Sequence, residues 1–343
     1  MIRRIAAGLV LLVGAFWLVS TFALGYSGKT AAVDDMTGDF RPVFSDAGLK
    51  QTNADIDTVN AFAAQFQKEA VPALAQQLGM TPDEFVGTLG KQYPDVGAGM
   101  QQLPESLPYF NGMVDQLNQQ QGNFHDADAI PTGFLPAKTV HWLFVALGIV
   151  AVGLGLSLLR TSAGRRLLIG VVALGVAVVA VTFVLSVPQK AQAVDDMTGA
   201  FRPVFTDAGA QQTRDYLTTI QKMDDQLNAE ALAGLATMLG VTPDQLATSL
   251  GEQFPAVGAG LQKMPDILAR FDTLVTKIEN NVDTFQQADA IPTESKPTTW
   301  LVAQLLVPAG ILILAGGGGL LASRRRVEGA RSVRSPDRVG SVG

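Results

Sequence analysis

The residues best equipped for chemistry in this chain lie in two short runs that match each other. Asp34-Asp35 and Asp195-Asp196 each place adjacent carboxylates six or seven residues before an arginine, Arg41 and Arg202. Paired carboxylates are hard oxygen donors, so a divalent cation is the first chemistry to weigh. A calcium loop, however, spaces its oxygen ligands at alternate positions and closes with a bidentate Glu, and that spacing is absent here. The runs read better as aspartate caps at a turn with an arginine nearby.

Aromatic residues surround the same arginines, in Phe40-Arg41-Pro42-Val43-Phe44 and Phe201-Arg202-Pro203-Val204-Phe205. Such a segment suits either docking at a partner or bilayer surface, or plugging the base of its own helical bundle. The candidate interaction residues are therefore Asp34, Asp35, Phe40, Arg41 and Phe44, with Asp195, Asp196, Phe201, Arg202 and Phe205. His125 beside Asp126 and Asp128 looks metal-like, but the matching positions of the second run hold Gln286 and Gln287. A surface histidine near a helix end is the better reading.

The composition narrows the chemistry further. The 343 residues include no cysteine and two histidines, His125 and His141. That excludes a disulfide framework, thiolate metal sites and a cysteine nucleophile. No Gly-x-Ser-x-Gly elbow and no glycine-rich phosphate loop occur. The expectation is a protein that is not an enzyme, with no cofactor, no bound metal and no nucleic-acid partner. Its expected partners are membrane lipids and a further envelope protein, with homo-oligomerisation left open.

Charge is scarce, at 16% of residues against about 25% in a typical soluble chain, and it is missing in blocks. Stretches of 24, 21, 23 and 27 residues without Asp, Glu, Lys or Arg separate Arg4 from Lys29, Lys138 from Arg160, Arg166 from Lys190, and Lys296 from Arg324. At about 1.5 Å rise per residue, roughly 20 apolar residues cross a hydrocarbon core, so each block is a candidate transmembrane helix. The spans fall near 5–25, 140–159, 167–187 and 299–322. The first competes with a signal peptide ending near Ala23-Leu24-Gly25, but its apolar stretch exceeds the usual signal length.

Eleven arginines and two acidic residues in 1–4, 160–166 and 324–343 give those segments a net charge of +9. The segments 26–138 and 188–298 carry −8 and −7. Basic residues are retained on the cytoplasmic side, which predicts both termini inside and both long segments outside. Trp142 and Trp300 then sit at the outer ends of helices two and four as interface anchors. The arginine-rich tail 324–343 reads as a topological stop signal or an anionic-lipid contact.

The long segments are written twice. Val33–Thr132 aligns with Val194–Thr293 at a constant offset of 161 without a gap, and 47 of those 100 positions are identical. Arg3-Arg4 and Arg165-Arg166 open the preceding apolar blocks at nearly the same distance. The unit is helix, outer domain, helix, repeated in parallel.

Within each segment the apolar period is helical. Leu268, Phe271, Val275, Ile278, Val282 and Phe285 follow a 3-4-3-4-3 spacing, and Leu107, Phe110, Val114, Leu117 and Phe124 share the register. Thr81-Pro82-Asp83-Glu84 and Thr242-Pro243-Asp244-Gln245 are capping boxes, preceded by Gly79 and Gly240 where a helix ends. Pro72 is expected to kink or restart the first long helix, where the second segment has Ala233. Packing inside each segment is the expected arrangement, with a seam across the two segments as the alternative.

The predicted fold class is all-α: a polytopic membrane protein with four transmembrane helices and two tandemly duplicated extracytoplasmic helical-bundle domains. Its organisation reads as 1–25, 26–138, 139–159, 160–166, 167–187, 188–298, 299–323 and 324–343. An Ala/Val/Gly/Arg-rich chain without cysteine suits a bacterial plasma membrane. The expected function is a binding or scaffolding platform in the cell envelope, the alternative being a transporter or accessory subunit that handles a lipid.

Overall fold

The computed structural model describes residues 2–133, 135–160, 164–293 and 296–332. Residues 161–163 of the short basic loop and 333–343 of the basic tail lie outside the described residues. The chain is helical throughout and, among the described residues, forms no strand. The first half runs α1 Ile2–Ala23, α2 Tyr26–Phe44, α3 Asp46–Gln65, α4 Val71–Gln77, α5 Pro82–Gln92, α6 Pro94–Asp128 and α7 Val140–Arg160. The second half runs α8 Gly164–Val184, α9 Val187–Phe201, α10 Asp207–Gln226, α11 Leu232–Leu239, α12 Pro243–Gln253, α13 Pro255–Asn280, α14 Val282–Asp289 and α15 Trp300–Ser332.

Local chemistry sets many of these boundaries. Ser45 and Thr206 accept the amides of Gly48 and Gly209 at 3.0 and 2.9 Å and so start α3 and α10. Both capping boxes form. The Thr81 amide donates to Glu84 Oε2 at 2.9 Å and the Thr242 amide to Gln245 Oε1 at 2.9 Å, while each threonine hydroxyl accepts from the third helical amide. Gly79 and Gly240 take φ of +69° and +70°, the left-handed conformation that ends a helix without a Cβ penalty.

Two boundaries depart from the periodicity. A single π turn, Phe66–Ala70 or Leu227–Ala231, joins α3 to α4 and α10 to α11. Because the turn forms with Ala233 as well as with Pro72, the proline is not its cause; Pro72 occupies the tolerated start of α4. The heptad seam of the second segment also breaks, at Asn281, whereas α6 runs unbroken to Asp128. Asn281 is buried, and its amide donates to Asp39 Oδ2 and to the Lys277 carbonyl, both at 2.9 Å. Those bonds favour a non-helical kink at that point.

The described residues divide into two compact units, one from 1–37, 123–196 and 286–343 and the other from 38–122 and 197–285. In the first, Arg3–Ala23, Ala137–Arg160, Gly164–Val184 and Trp300–Arg325 are long and apolar enough to cross a membrane, which makes this a membrane protein. Helix α1 packs on α7 and α15, and α8 packs on α15 and α7. Their shared core holds Ala7, Val10, Trp17, Ala151, Leu158, Val171, Ala309 and Leu312. Close approach is possible because a Cβ on Gly155 would stand 2.7 Å from Leu11 Cγ, and one on Gly316 would stand 2.6 Å from Val172 Cγ2.

The second unit draws on both long segments. Packing of each segment around its own core, the arrangement expected from the periodicity, is joined by the alternative seam: α13 packs on α10 and α12 of its own segment and on α3 of the other. Matching segments present the same apolar spacing to themselves and to each other, so periodicity alone does not choose between the two.

Candidate functional site

In the unit built from 38–122 and 197–285, the two aromatic runs meet. Phe40 lies edge-on to Phe205 at 5.6 Å and Phe44 edge-on to Phe201 at 6.1 Å, and all four side chains are buried. Each edge-to-face pair adds about 0.5–1.5 kcal/mol beyond the apolar area it removes from water. These phenylalanines therefore bind each other across the segments. Asp39 reinforces the junction, accepting from Lys277 Nζ through its carbonyl at 2.7 Å and from Asn281 through its carboxylate.

A pair of glutamines repeats the exchange. Gln65 Oε1 accepts the amides of Ala256 and Val257 at 2.7 and 3.3 Å, and Gln226 Oε1 accepts those of Asp95 and Val96 at 2.8 and 3.2 Å. Each glutamine thus satisfies the otherwise unpaired first-turn donors of a helix from the other segment. Close contacts are exchanged in the same way. Phe62 lies over Gly260 and Met223 over Gly99, so near that an added Cβ would overlap either side chain.

The seam also carries an ion pair with a buried carboxylate. Arg270 donates to Asp55 through Nε at 2.6 Å and Nη2 at 2.7 Å, and Gln51 adds a third bond to the same buried carboxylate at 2.8 Å. A groove of about 290 Å³ runs beside the pair, with Pro42, Gln51, Thr273 and Lys277 along its walls. On the far side of α13, Arg214 grips Asp272 and Glu279, which holds the Glu279 carboxyl below the ordinary glutamate range.

In the other unit the candidate aspartates serve as caps. Asp34 accepts the backbone amides of Ala137 and Lys138, and Asp195 accepts those of Thr298 and Thr299 at 2.6 and 3.1 Å. Each carboxylate sits at the amino end of an apolar spanning helix, where the unpaired amides and the helix dipole favour negative charge. Asp35 and Asp196 point to the exposed surface, as do Arg41 and Arg202. Among the described residues no group of three His, Asp or Glu side chains stands close enough to hold a metal ion. Lysines lock the neighbouring loops: Lys29 Nζ donates to the carbonyls of Ala290 and Pro292 at 2.7 and 2.8 Å, and Lys190 Nζ to those of Ala129 and Pro131 at 2.7 and 3.2 Å. Trp142 and Trp300 are 64% and 49% exposed beside these helix starts.

This unit also holds an apolar cavity of about 340 Å³ among α7, α8 and α15. Phe144, Leu147, Leu174, Val178 and Leu305 line its interior, Lys190 and Thr298 mark a polar end, and Leu143 and Val181 stand half-exposed at its rim. Sequence reasoning missed this cavity, as it missed Gln65, Gln226 and the Asp55–Arg270 pair. Comparing side-chain size at positions 161 apart through the apolar blocks would have exposed it.

The chain matches no protein-family model, and comparison with curated proteins and with solved structures gives no match.

Proposed function

We propose that this is a non-enzymatic protein of the bacterial plasma membrane, in which the duplicated segments 26–138 and 188–298 lie outside the cytoplasm and act together as a binding or scaffolding platform for another envelope component. The observation that carries this reading is the reciprocal stitching by Gln65 and Gln226, which ties residues 38–122 and 197–285 into a single body. The Phe40, Phe44, Phe201 and Phe205 side chains add an aromatic seam to the same end. A platform needs a surface of fixed shape, and interlocking two copies achieves this more rigidly than a flexible tandem does. The net negative charge of both segments favours a partner that presents basic groups.

Affinity purification of the full chain from native membranes in mild detergent, after chemical cross-linking, tests the proposal. A stoichiometric protein partner cross-linked to 38–122 or 197–285 is the expected result. A chain that purifies alone after efficient cross-linking overturns it.

A second reading, a transporter or accessory subunit that handles a lipid, is favoured by the apolar cavity among α7, α8 and α15. It predicts exchange of lipid between vesicles that depends on the reconstituted chain, whereas the platform reading predicts none.

A further inference from the structure

At the matching interface of the other two helices the buried space is filled. Extending the offset of 161 into the apolar blocks matches Val178 with Trp17, Val187 with Tyr26, and Leu143 with Gln304. Packing supports that register through the membrane helices, since Gly155 meets Leu11 and Gly316 meets Val172, two pairs at the same offset. Between α1 and α15, Trp17 is fully buried and donates through Nε1 to the Gln304 carbonyl at 3.0 Å. Tyr26 is buried beside it and donates its hydroxyl to Gln304 Oε1. Two large rings, tied to one amide side chain, occupy the buried side of that interface, and a groove of about 420 Å³ lined by Leu9, Phe16, Gln304 and Val307 runs along its exposed face. Between α8 and α7 the equivalent positions hold two valines and a leucine, and there the cavity of about 340 Å³ opens.

From this asymmetry we infer that the cavity among α7, α8 and α15 is a binding site for one acyl chain of a membrane phospholipid. Its size lies in the range of about 300–1,000 Å³ typical of ligand pockets, and its lining is apolar except at one end. Water gains nothing from such a space, because it offers too few polar partners. The rim side chains Leu143 and Val181 are 48% and 54% exposed on helices that span the membrane, so the opening faces hydrocarbon rather than water. At the polar end Lys190 uses two N–H groups on the Ala129 and Pro131 carbonyls. An ammonium has three donors, which leaves one N–H for a phosphate oxygen of the same lipid. The assignment does not rest on either functional reading: a lipid held here stabilises or regulates a platform as readily as it passes through a carrier.

The test uses the full chain in vesicles of phosphatidylethanolamine and phosphatidylglycerol doped with a phospholipid that carries a diazirine near the middle of one acyl chain. After irradiation, peptide mass spectrometry is expected to find the label concentrated on Leu147, Leu174 and Val178. Val178→Trp, which copies the matching interface, is expected to lower that labelling at least ten-fold, and Val176→Trp, on the exposed face of α8, to leave it unchanged. Val187→Tyr provides a second filling variant should Val178→Trp fail to fold. Label spread evenly over exposed positions such as Ile149 and Val176, or concentrated on Leu9, Phe16 and Val307 along the α1–α15 groove, overturns the inference. Labelling of Leu147 and Leu174 that survives both filling variants overturns it as well.

Discussion

Asp55 and Arg270 form a bidentate ion pair between α3 and α13, at 2.6 and 2.7 Å, with the aspartate buried and the arginine 44% exposed. The positions 161 residues away from this pair, Tyr216 and Tyr109, also meet, but as rings edge-to-face at 5.3 Å, with the Tyr109 hydroxyl 2.6 Å from Thr213 Oγ1. One geometric slot of the seam thus tolerates two chemistries. Removing the arginine alone strands a buried carboxylate, which costs more than the net worth of the pair. Arg270→Leu is expected to destabilise the chain by about 2–3 kcal/mol, a value reduced from the fully buried case because solvent screens Arg270. The double variant Asp55→Tyr/Arg270→Tyr, which copies the other slot, is expected to recover at least half of that loss in thermal unfolding of the detergent-purified protein.

Asp34 and Asp195 cap the starts of two membrane-spanning helices, whereas their neighbours Asp35 and Asp196 are exposed. Capping predicts an asymmetric mutational response. Asp34→Ala and Asp195→Ala should each cost about 1 kcal/mol, and Asp35→Ala and Asp196→Ala close to nothing. A cation site built from the paired carboxylates would respond to all four. Millimolar Ca²⁺ is therefore expected to leave the melting temperature unchanged, and a rise that both Asp35→Ala and Asp196→Ala abolish would restore the metal reading.

How much of this was legible depended on range. The capping boxes at Thr81 and Thr242 and the left-handed ends at Gly79 and Gly240 are decided by residues within one turn, so the sequence displays them directly. The four spans are equally plain, because a charge-free block of that length has few alternatives. The partner of each apolar seam was not legible, since Phe110 and Phe271 share a register and Phe110 packs on Phe271 itself at 5.6 Å. Nor did the aspartate pairs reveal that Asp34 reaches amides more than a hundred residues away. The fold was readable wherever the determinants were local, and the candidate site was not, because the contacts that close the seam join distant residues.

Asp224 lies buried where the first segment has Ala63, and burial together with the neighbouring Asp225 pushes its carboxyl up to about 6, while Asn228 opposes the shift with a bond of 3.1 Å. The unfolded chain releases this proton near pH 4, so between pH 4 and 6 the unfolded state holds fewer protons than the folded one. Stability therefore falls across that window and stays reduced above it. Asp224→Asn is expected to stabilise the chain by about 1–2 kcal/mol at pH 7 and by nearly nothing at pH 4. Urea denaturation at both pH values checks the sign; a benefit at pH 4 equal to that at pH 7 would locate its cause in packing rather than ionisation.

The proposed orientation is open to direct chemical readout because the chain contains no cysteine. Asp83 and Asp244 are exposed in the acidic segments, and Arg160 and Arg324 are exposed at the basic ends of spanning helices. In intact cells a membrane-impermeant maleimide should label Asp83→Cys and Asp244→Cys and spare Arg160→Cys and Arg324→Cys, and permeabilisation should make all four reactive. The arginine bias that motivates this orientation acts on short flanking segments during insertion, and the basic segments here are of that kind. The four sites also discriminate among errors. Labelling of Asp83→Cys without Asp244→Cys would place the two segments on opposite faces, an inverted rather than parallel repeat. Such an arrangement is incompatible with the bond between Gln65 and Val257, so one labelling experiment bears on both the topology and the shared bundle.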